Sequence, residues 1–328
     1  MTSTALPYAY RPLSDNAQTR IIELQPSTAS DDNDDGDDND DGDDNDDGDD
    51  PPRCHLRDFD VFGDEEYEAV SYTWGEPLFT ERLVVDDAYF LMTTVNFRDA
   101  LLRFRLPDRV RLLWVDAVCI NQRDEEEKGR QIPFMTQIYS GASRVLVWLG
   151  NYPEQAESLR KVGRWARQLQ MSHGMPRLYD REAASDMIRN TPSSIQSVFG
   201  LSWFTRLWVV QEVVLNINVL VCCGDVELPW TRLVQIMRLH DAQPPWLIIP
   251  STMGDLWTLR FFDRGVATRL STVQLLHDLS SAKCSDDRDR IWALSAMTTD
   301  LQIERPGGNA SEGKGMVTLS VDYSTGAD

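Results

Sequence analysis

The sequence predicts an α/β fold: a doubly wound parallel sheet flanked by helices, followed by a mostly helical C-terminal extension. Three observations predict it. Residues 112–115 (LLWV), 145–149 (VLVWL) and 219–221 (VLV) are near-continuous apolar runs, which is how strands covered on both faces read. Segments with helical spacing lie between them, and parallel neighbours need such crossovers. The chain has 328 residues, enough for one large core or two smaller ones.

In chain order, residues 19–24 (TRIIEL) and 53–59 (RCHLRDF) read as two strands of a hairpin. Between them, residues 31–50 are three copies of DDNDDG followed by two aspartates. This run has no apolar residue and repels itself, so a disordered insertion is expected at about 27–52. The repeat matches the start of an EF-hand loop. Its twelfth position counted from Asp31 is Gly42 instead of glutamate, and no helices flank it, so a true EF-hand is excluded.

A strand follows at Ala69, Val70 and Tyr72 and ends at Gly75 and Pro77. Residues 82–92 read as a hairpin turning at Asp86 and Asp87. Residues 96–105 have helical spacing, with Asn96 the expected N-cap. The strand at 112–115 ends at Asp116. Residues 124–142 read as a helix with acids in its first turn and Pro133 inside it. After the strand at 145–149, residues 154–170 read as a helix and 171–191 as a long polar excursion. Residues 203–215 (WFTRLWVVQEVVL) read as one buried helix, and 216–225 as a strand. Helices are expected at 230–241, 271–280 and 286–297, and a late strand at 316–323, which suggests a fragment or a short member of something longer. The expected organisation is a first domain over 1–230 and a helical extension over 231–328 packed on it.

Charge and composition narrow the function. Of the formal charge of −21, the fourteen aspartates of residues 31–50 supply −14, so the rest of the chain is mildly acidic at −7. No basic patch points to nucleic acid or to an anionic membrane. The five cysteines form no CxxC pair and the four histidines lack zinc-ligand spacing, so no metal site is expected. The N-terminus lacks the pattern of a signal peptide, and no uncharged apolar run is long enough to span a membrane. A soluble cytoplasmic protein is the expectation.

Trp208 and Glu212 are four apart and share a helix face. A carboxylate on a buried helix is costly unless it is paired, protonated or used. Two readings stay open: Arg206 neutralises Glu212, or Glu212 is a working acid beside an aromatic wall. Asp116 stands at a strand's carboxyl end, where open α/β sheets place ligand-binding residues. Its alternative is a capping role shared with Asn121. Cys119 reads as core.

Three segments in order resemble the signature blocks of the fungal HET (heterokaryon incompatibility) domain. They are YEAVSYTWG (67–75), the block from LLWVDAVCINQ to VLVWLG (112–150), and WFTRLWVVQEVVL (203–215). The opening YAYRPL and TRIIELQP resemble that family's lead-in, and SDDRDRIWAL (285–294) resembles a stretch that commonly follows the domain. The likeness covers most of the chain outside the acidic run. It implies a role in fungal non-self recognition and regulated cell death, with self-association or another cell-death protein as partner.

It also implies a distant relation to TIR domains and their flavodoxin-like parallel sheet. In NAD-cleaving TIR domains the catalytic glutamate follows a tryptophan by four residues on a helix, and Trp208 to Glu212 resembles that pattern. On this resemblance Glu212 is the catalytic residue of a NAD glycohydrolase, Tyr72, Trp74, Asp116 and Trp208 bind the substrate, and NAD is a substrate instead of a resident cofactor. Tyr72 and Trp74 read equally well as core. The pair Trp74-Gly75 and the excursion over 151–202 are HET features without a TIR counterpart. The rival reading is a non-catalytic TIR-like module that signals by assembly.

Overall fold

The computed structural model describes residues 5–14, 18–27, 51–172, 192–238, 245–262, 270–304 and 316–323. The acidic run at 31–50 and most of the excursion at 171–191 lie outside the described residues.

One ten-stranded sheet organises the molecule. Its strands are β1 (Leu6–Pro7), β2 (Thr19–Leu24), β3 (Arg53–Phe59), β4 (Glu68–Tyr72), β5 (Phe79–Val85), β6 (Tyr89–Thr94), β7 (Arg111–Trp114), β8 (Arg144–Trp148), β9 (Val219–Cys223) and β10 (Val226–Pro229). The spatial order is β1-β6-β5-β3-β2-β7-β4-β8-β9-β10. The four strands expected to be parallel are parallel and contiguous, in the order β7-β4-β8-β9. β4 stands between β7 and β8, with Ser71 opposite Val147 and Tyr72 opposite Trp148.

The sheet as a whole is mixed, which corrects the expectation of a parallel sheet. β2 runs antiparallel to β7 and to β3, β5 pairs antiparallel with β6, and β10 closes the far edge antiparallel to β9. The N-terminal hairpin, in which β3 alternates in burial while β2 is buried along nearly its whole length, joins the parallel core antiparallel through β2 and β7. The β5–β6 turn spans the three residues between Val85 and Tyr89, and its Asp86 and Asp87, with φ of 51° and 57°, lie in the left-handed region.

The helices are α1 (Val95–Phe104), α2 (Asp116–Cys119), α3 (Glu125–Gly141), α4 (Pro153–Ser172), α5 (Pro192–Phe199), α6 (Trp208–Val214), α7 (Trp230–Met237), α8 (Ile248–Phe262), α9 (Thr272–Asp278) and α10 (Asp289–Trp292). Among the described residues, no helix is long and apolar enough to cross a membrane. A separate two-stranded sheet pairs β11 (Leu301–Ile303) with β12 (Val317–Leu319).

Several local expectations are corrected. The N-cap of α1 is Thr94, whose hydroxyl accepts from the Phe97 N–H at 3.3 Å. Asn96 lies inside the first turn and serves as a brace. Its amide donates to the Thr73 carbonyl at 2.7 Å, and its side-chain oxygen accepts from the Trp148 indole at 3.0 Å. Residues 203–215 are not one helix. A 3-10 turn (Ser202–Thr205) is followed by Arg206 in an extended conformation, and α6 starts two residues later. The stretch 286–297 holds α10 and a separate 3-10 turn (Ser295–Met297) instead of one helix. Strand β10 and helices α5 and α8 add elements that the sequence pattern did not suggest. The core is rich in buried indoles: Trp114, Trp148, Trp203 and Trp230 are each at most 2% exposed.

Candidate functional site

The carboxyl ends of β4 and β7 gather most of the residues that sequence reasoning singled out. Tyr72 is the last residue of β4, and Trp74 follows two residues on. Gly75 has φ of +74°, a turn conformation that side-chain-bearing residues rarely adopt. The Asn96 brace on Thr73 fixes this turn. Asp116 opens α2 just past β7, and Oδ1 of its carboxylate accepts from the Ala117 N–H at 2.8 Å.

Glu212 approaches this edge from α6. Its side chain is buried, and Oε2 has no hydrogen-bond partner. Burial pushes its pKa up to about 7, with Asp116 repelling further charge, while the Arg206 charge and the Ser71 hydroxyl pull the other way. Ser71 is the buried β4 residue whose Oγ also accepts from the Trp203 indole at 2.9 Å. Asp116 is raised as well, first by desolvation, against the charge of Arg206, the Ala117 N–H and the Trp74 indole. That indole acts on Asp116 but has no full hydrogen-bond partner of its own.

Arg206 is the residue that ties the two acids together. Its guanidinium donates to the Tyr72 carbonyl, and its charge acts on both Glu212 and Asp116. The extended break before α6 makes this reach available, because Arg206 lies outside the helix that carries Glu212. The Tyr72 ring packs on Phe97 at 5.2 Å between centroids, and the Tyr72 phenol is buried and pushed well above its ordinary pKa by desolvation.

Trp208 bonds to the C-terminal part of the chain. It is partly buried, and its indole donates to Asp289 Oδ2 at 2.9 Å. The structure thus brings Tyr72, Trp74, Asp116, Arg206 and Glu212 together and ties Trp208 to the C-terminal segment. Sequence reasoning named Arg206 only as a partner that would neutralise Glu212. Ser71 and Asn96 were missed as site residues, since an isolated hydroxyl or amide carries no pattern.

The acidic block RDEEEKGRQ has a structural use. Glu127 pairs with Arg20 at 2.6 Å, and both are buried. Arg20 also donates to the Cys119 carbonyl at 3.2 Å and the Arg11 carbonyl at 2.6 Å, and it lies 5.0 Å from the Tyr10 ring centroid. Glu127 accepts from the Asn121 N–H at 2.7 Å. The N-cap of α3 is Asp124, accepting from the Glu127 N–H at 3.0 Å, while Asn121 accepts from the Arg123 N–H at 3.2 Å and shapes the preceding turn. The lead-in, β2 and the turn after α2 are thereby locked around one ion pair, which holds the Asp116 turn in place.

Comparison with known proteins gives this architecture a relative. Residues 67–212 match the family described as "Heterokaryon incompatibility protein (HET)". The chain is similar to heterokaryon incompatibility protein 6, OR allele, of Neurospora crassa, at 29% identity over 207 residues. That similarity covers 52% of this chain and 30% of the relative, so the chain spans about a third of the relative's length. No solved structure matches. The matched region opens just before β4 and closes on Glu212, enclosing the whole acid cluster, so this stretch of the chain is the part that matches the HET domain.

Proposed function

We propose that this chain acts in fungal non-self recognition as a cell-death effector that cleaves NAD at its N-glycosidic bond, with Glu212 as the working acid. The observation that carries the reading is Glu212 itself. It is a buried carboxyl with an unpartnered oxygen and a pKa near neutrality, set beside Asp116 and Arg206 at the carboxyl edge of parallel strands. Perturbed acids of this kind concentrate at functional sites. The order β7-β4-β8-β9 supports it too. Ranked by sequence it is second, first, third, fourth, the order of flavodoxin-like sheets, which bind nucleotides outside their carboxyl ends. The printed name of the Neurospora crassa relative supports the biological setting.

The chemistry asks little of the protein beyond charge and position. The bond from ribose C1′ to the pyridinium nitrogen breaks, and nicotinamide leaves neutral with the bonding pair. Water adds its oxygen to C1′ and gives up a proton, yielding ADP-ribose. The transition state resembles an oxocarbenium ion, and a carboxylate beside it stabilises the developing charge. The cationic pyridinium ring favours the ionised form of Glu212 as it binds. Asp116 is suited to the ribose hydroxyls, and Trp74 to stacking on a ring.

Glu212→Gln tests the reading, since it keeps shape and hydrogen bonding but removes the charge. Nicotinamide release by the purified protein at high concentration should fall by about a hundredfold to a thousandfold, and cell death on expression should be lost with it. A folded Glu212→Gln protein that still consumes NAD, or a wild type that kills without consuming it, decides for the non-catalytic assembly module.

A further inference from the structure

The chain beyond the matched region grips the entry to α6 at two successive points. The Lys283 N–H donates to the Thr205 carbonyl at 2.7 Å, and the Leu207 N–H donates to the Lys283 carbonyl at 2.8 Å. Arg206 is therefore held in a backbone bridge to a distant segment. Two residues on, the Trp208 indole donates to one oxygen of Asp289, and the Tyr323 hydroxyl donates to the other. Arg288 lies 4.7 Å from the Tyr323 ring centroid and Lys128 lies 5.7 Å from it. Arg288 also donates to the Asp322 carbonyl at 3.2 Å.

We propose that Asp289 is a positioning residue for the acid cluster: with the Lys283 backbone and Tyr323 it clasps residues 205–208, and so keeps the Arg206 guanidinium on the Tyr72 carbonyl, where its charge reaches Glu212 and Asp116. The catalytic consequence rests on the reading of Glu212 given above; the clasp itself does not. Asp289 spends both oxygens on aromatic donors from two separate parts of the chain, Trp208 at the start of α6 and Tyr323 beyond β12. Packing alone would be met by an apolar residue there, and a half-buried carboxylate is an expensive substitute. The groups that act on Asp289 are Tyr323, Trp208, Asp286 and Lys128. Those that act on or are acted on by Glu212 are Arg206, Ser71, Asp116, Tyr72 and Tyr139.

The test follows the Glu212 carboxyl in the full chain by isotope-edited infrared titration, with the band assigned by its loss in Glu212→Gln. Asp289→Ala removes the side-chain half of the clasp and leaves the Lys283 backbone bonds, and Trp208→Phe keeps a ring while removing the donor. Each should raise the titration midpoint of Glu212 by about one pH unit, the size of losing an opposite charge near a carboxylate. The double variant should go no further, because both act through one contact. Asp289→Glu should restore part of the shift. Unchanged midpoints in folded Asp289→Ala and Trp208→Phe, or shifts that add in the double variant, overturn the clasp. If Asp289→Ala does not fold, Trp208→Phe decides alone. Wild type that releases no nicotinamide sinks the enzyme reading and leaves this titration result standing.

Discussion

Replacing Glu212 by glutamine should make the protein more stable in alkaline solution than in acid, relative to wild type. The folded-state pKa of Glu212 is about 7, against an ordinary value of 4.5. A group whose folded pKa is raised binds its proton more tightly in the folded state. Its stabilising effect is therefore complete below pH 4.5 and is lost as pH climbs to 7. The difference of about 2.5 units corresponds to about 3 kcal/mol at 1.36 kcal/mol per unit. Wild type should lose about that much between pH 4.5 and pH 8 through this one group. Glutamine does not titrate, so the gap between variant and wild type should open by about 3 kcal/mol in favour of the variant over the same range. The fixed cost of packing an amide cancels in that comparison. Asp116, raised in the same direction, is present in both proteins and largely cancels. Urea unfolding at pH 5, 6, 7 and 8 measures the gap. Parallel curves across that range would refute the reasoning, because they would mean that Glu212 is as well solvated or paired in the folded protein as in the unfolded chain.

Arg20→Met should cost about 3–5 kcal/mol in urea unfolding, because it strands the buried Glu127 carboxylate; a loss below about 1 kcal/mol would mean that water reaches it. Deleting residues 29–50 should leave the thermal midpoint nearly unchanged at moderate salt or raise it slightly, since the deletion removes self-repulsion and joins two strands already paired from Thr19–Phe59 to Leu24–Cys54. A large fall in a calorimetric scan would show that the run takes part in the fold.

The parallel core was legible because strands buried on both faces announce themselves as apolar runs, and 112–115, 145–149 and 219–221 do so. The turn at Asp86 and Asp87 was legible because it is a local conformational demand. The N-terminal hairpin of β2 and β3 was legible too, but its antiparallel junction with the parallel core through β2 and β7 was not, since that is a choice among distant partners that no window reveals. The break at Arg206 was hidden for a similar reason: its extended backbone is set by Lys283, far along the chain, while its neighbours read as helix. Asn96 looked like a cap because its residue type suits one, yet Thr94 stood two residues earlier with the hydroxyl in place. Helix α8 buries residues around much of its circumference and carries Pro250 in its first turn, so no single apolar stripe marked it. Within the site, the spacing from Trp208 to Glu212 correctly put them in one helix but said nothing of Asp289, which accepts the indole's hydrogen bond.

The position of β2 has a consequence for how far this protein can be cut down. It is the one strand joining the two wings of the sheet: β7 pairs with it through Ile22–Leu113 and Leu24–Arg111, and β3 pairs with its other side. A polypeptide trimmed to the matched residues 67–212 would keep Glu212 and Asp116 but leave the β7 backbone bare along that edge. Its Leu113 and Trp114, fully buried in the intact chain, would then border an unpaired row of amides. Bare apolar edges recruit strands from other molecules. Such a fragment is a candidate for self-templated aggregation, and clumping on its expression would say nothing about whether the whole protein assembles.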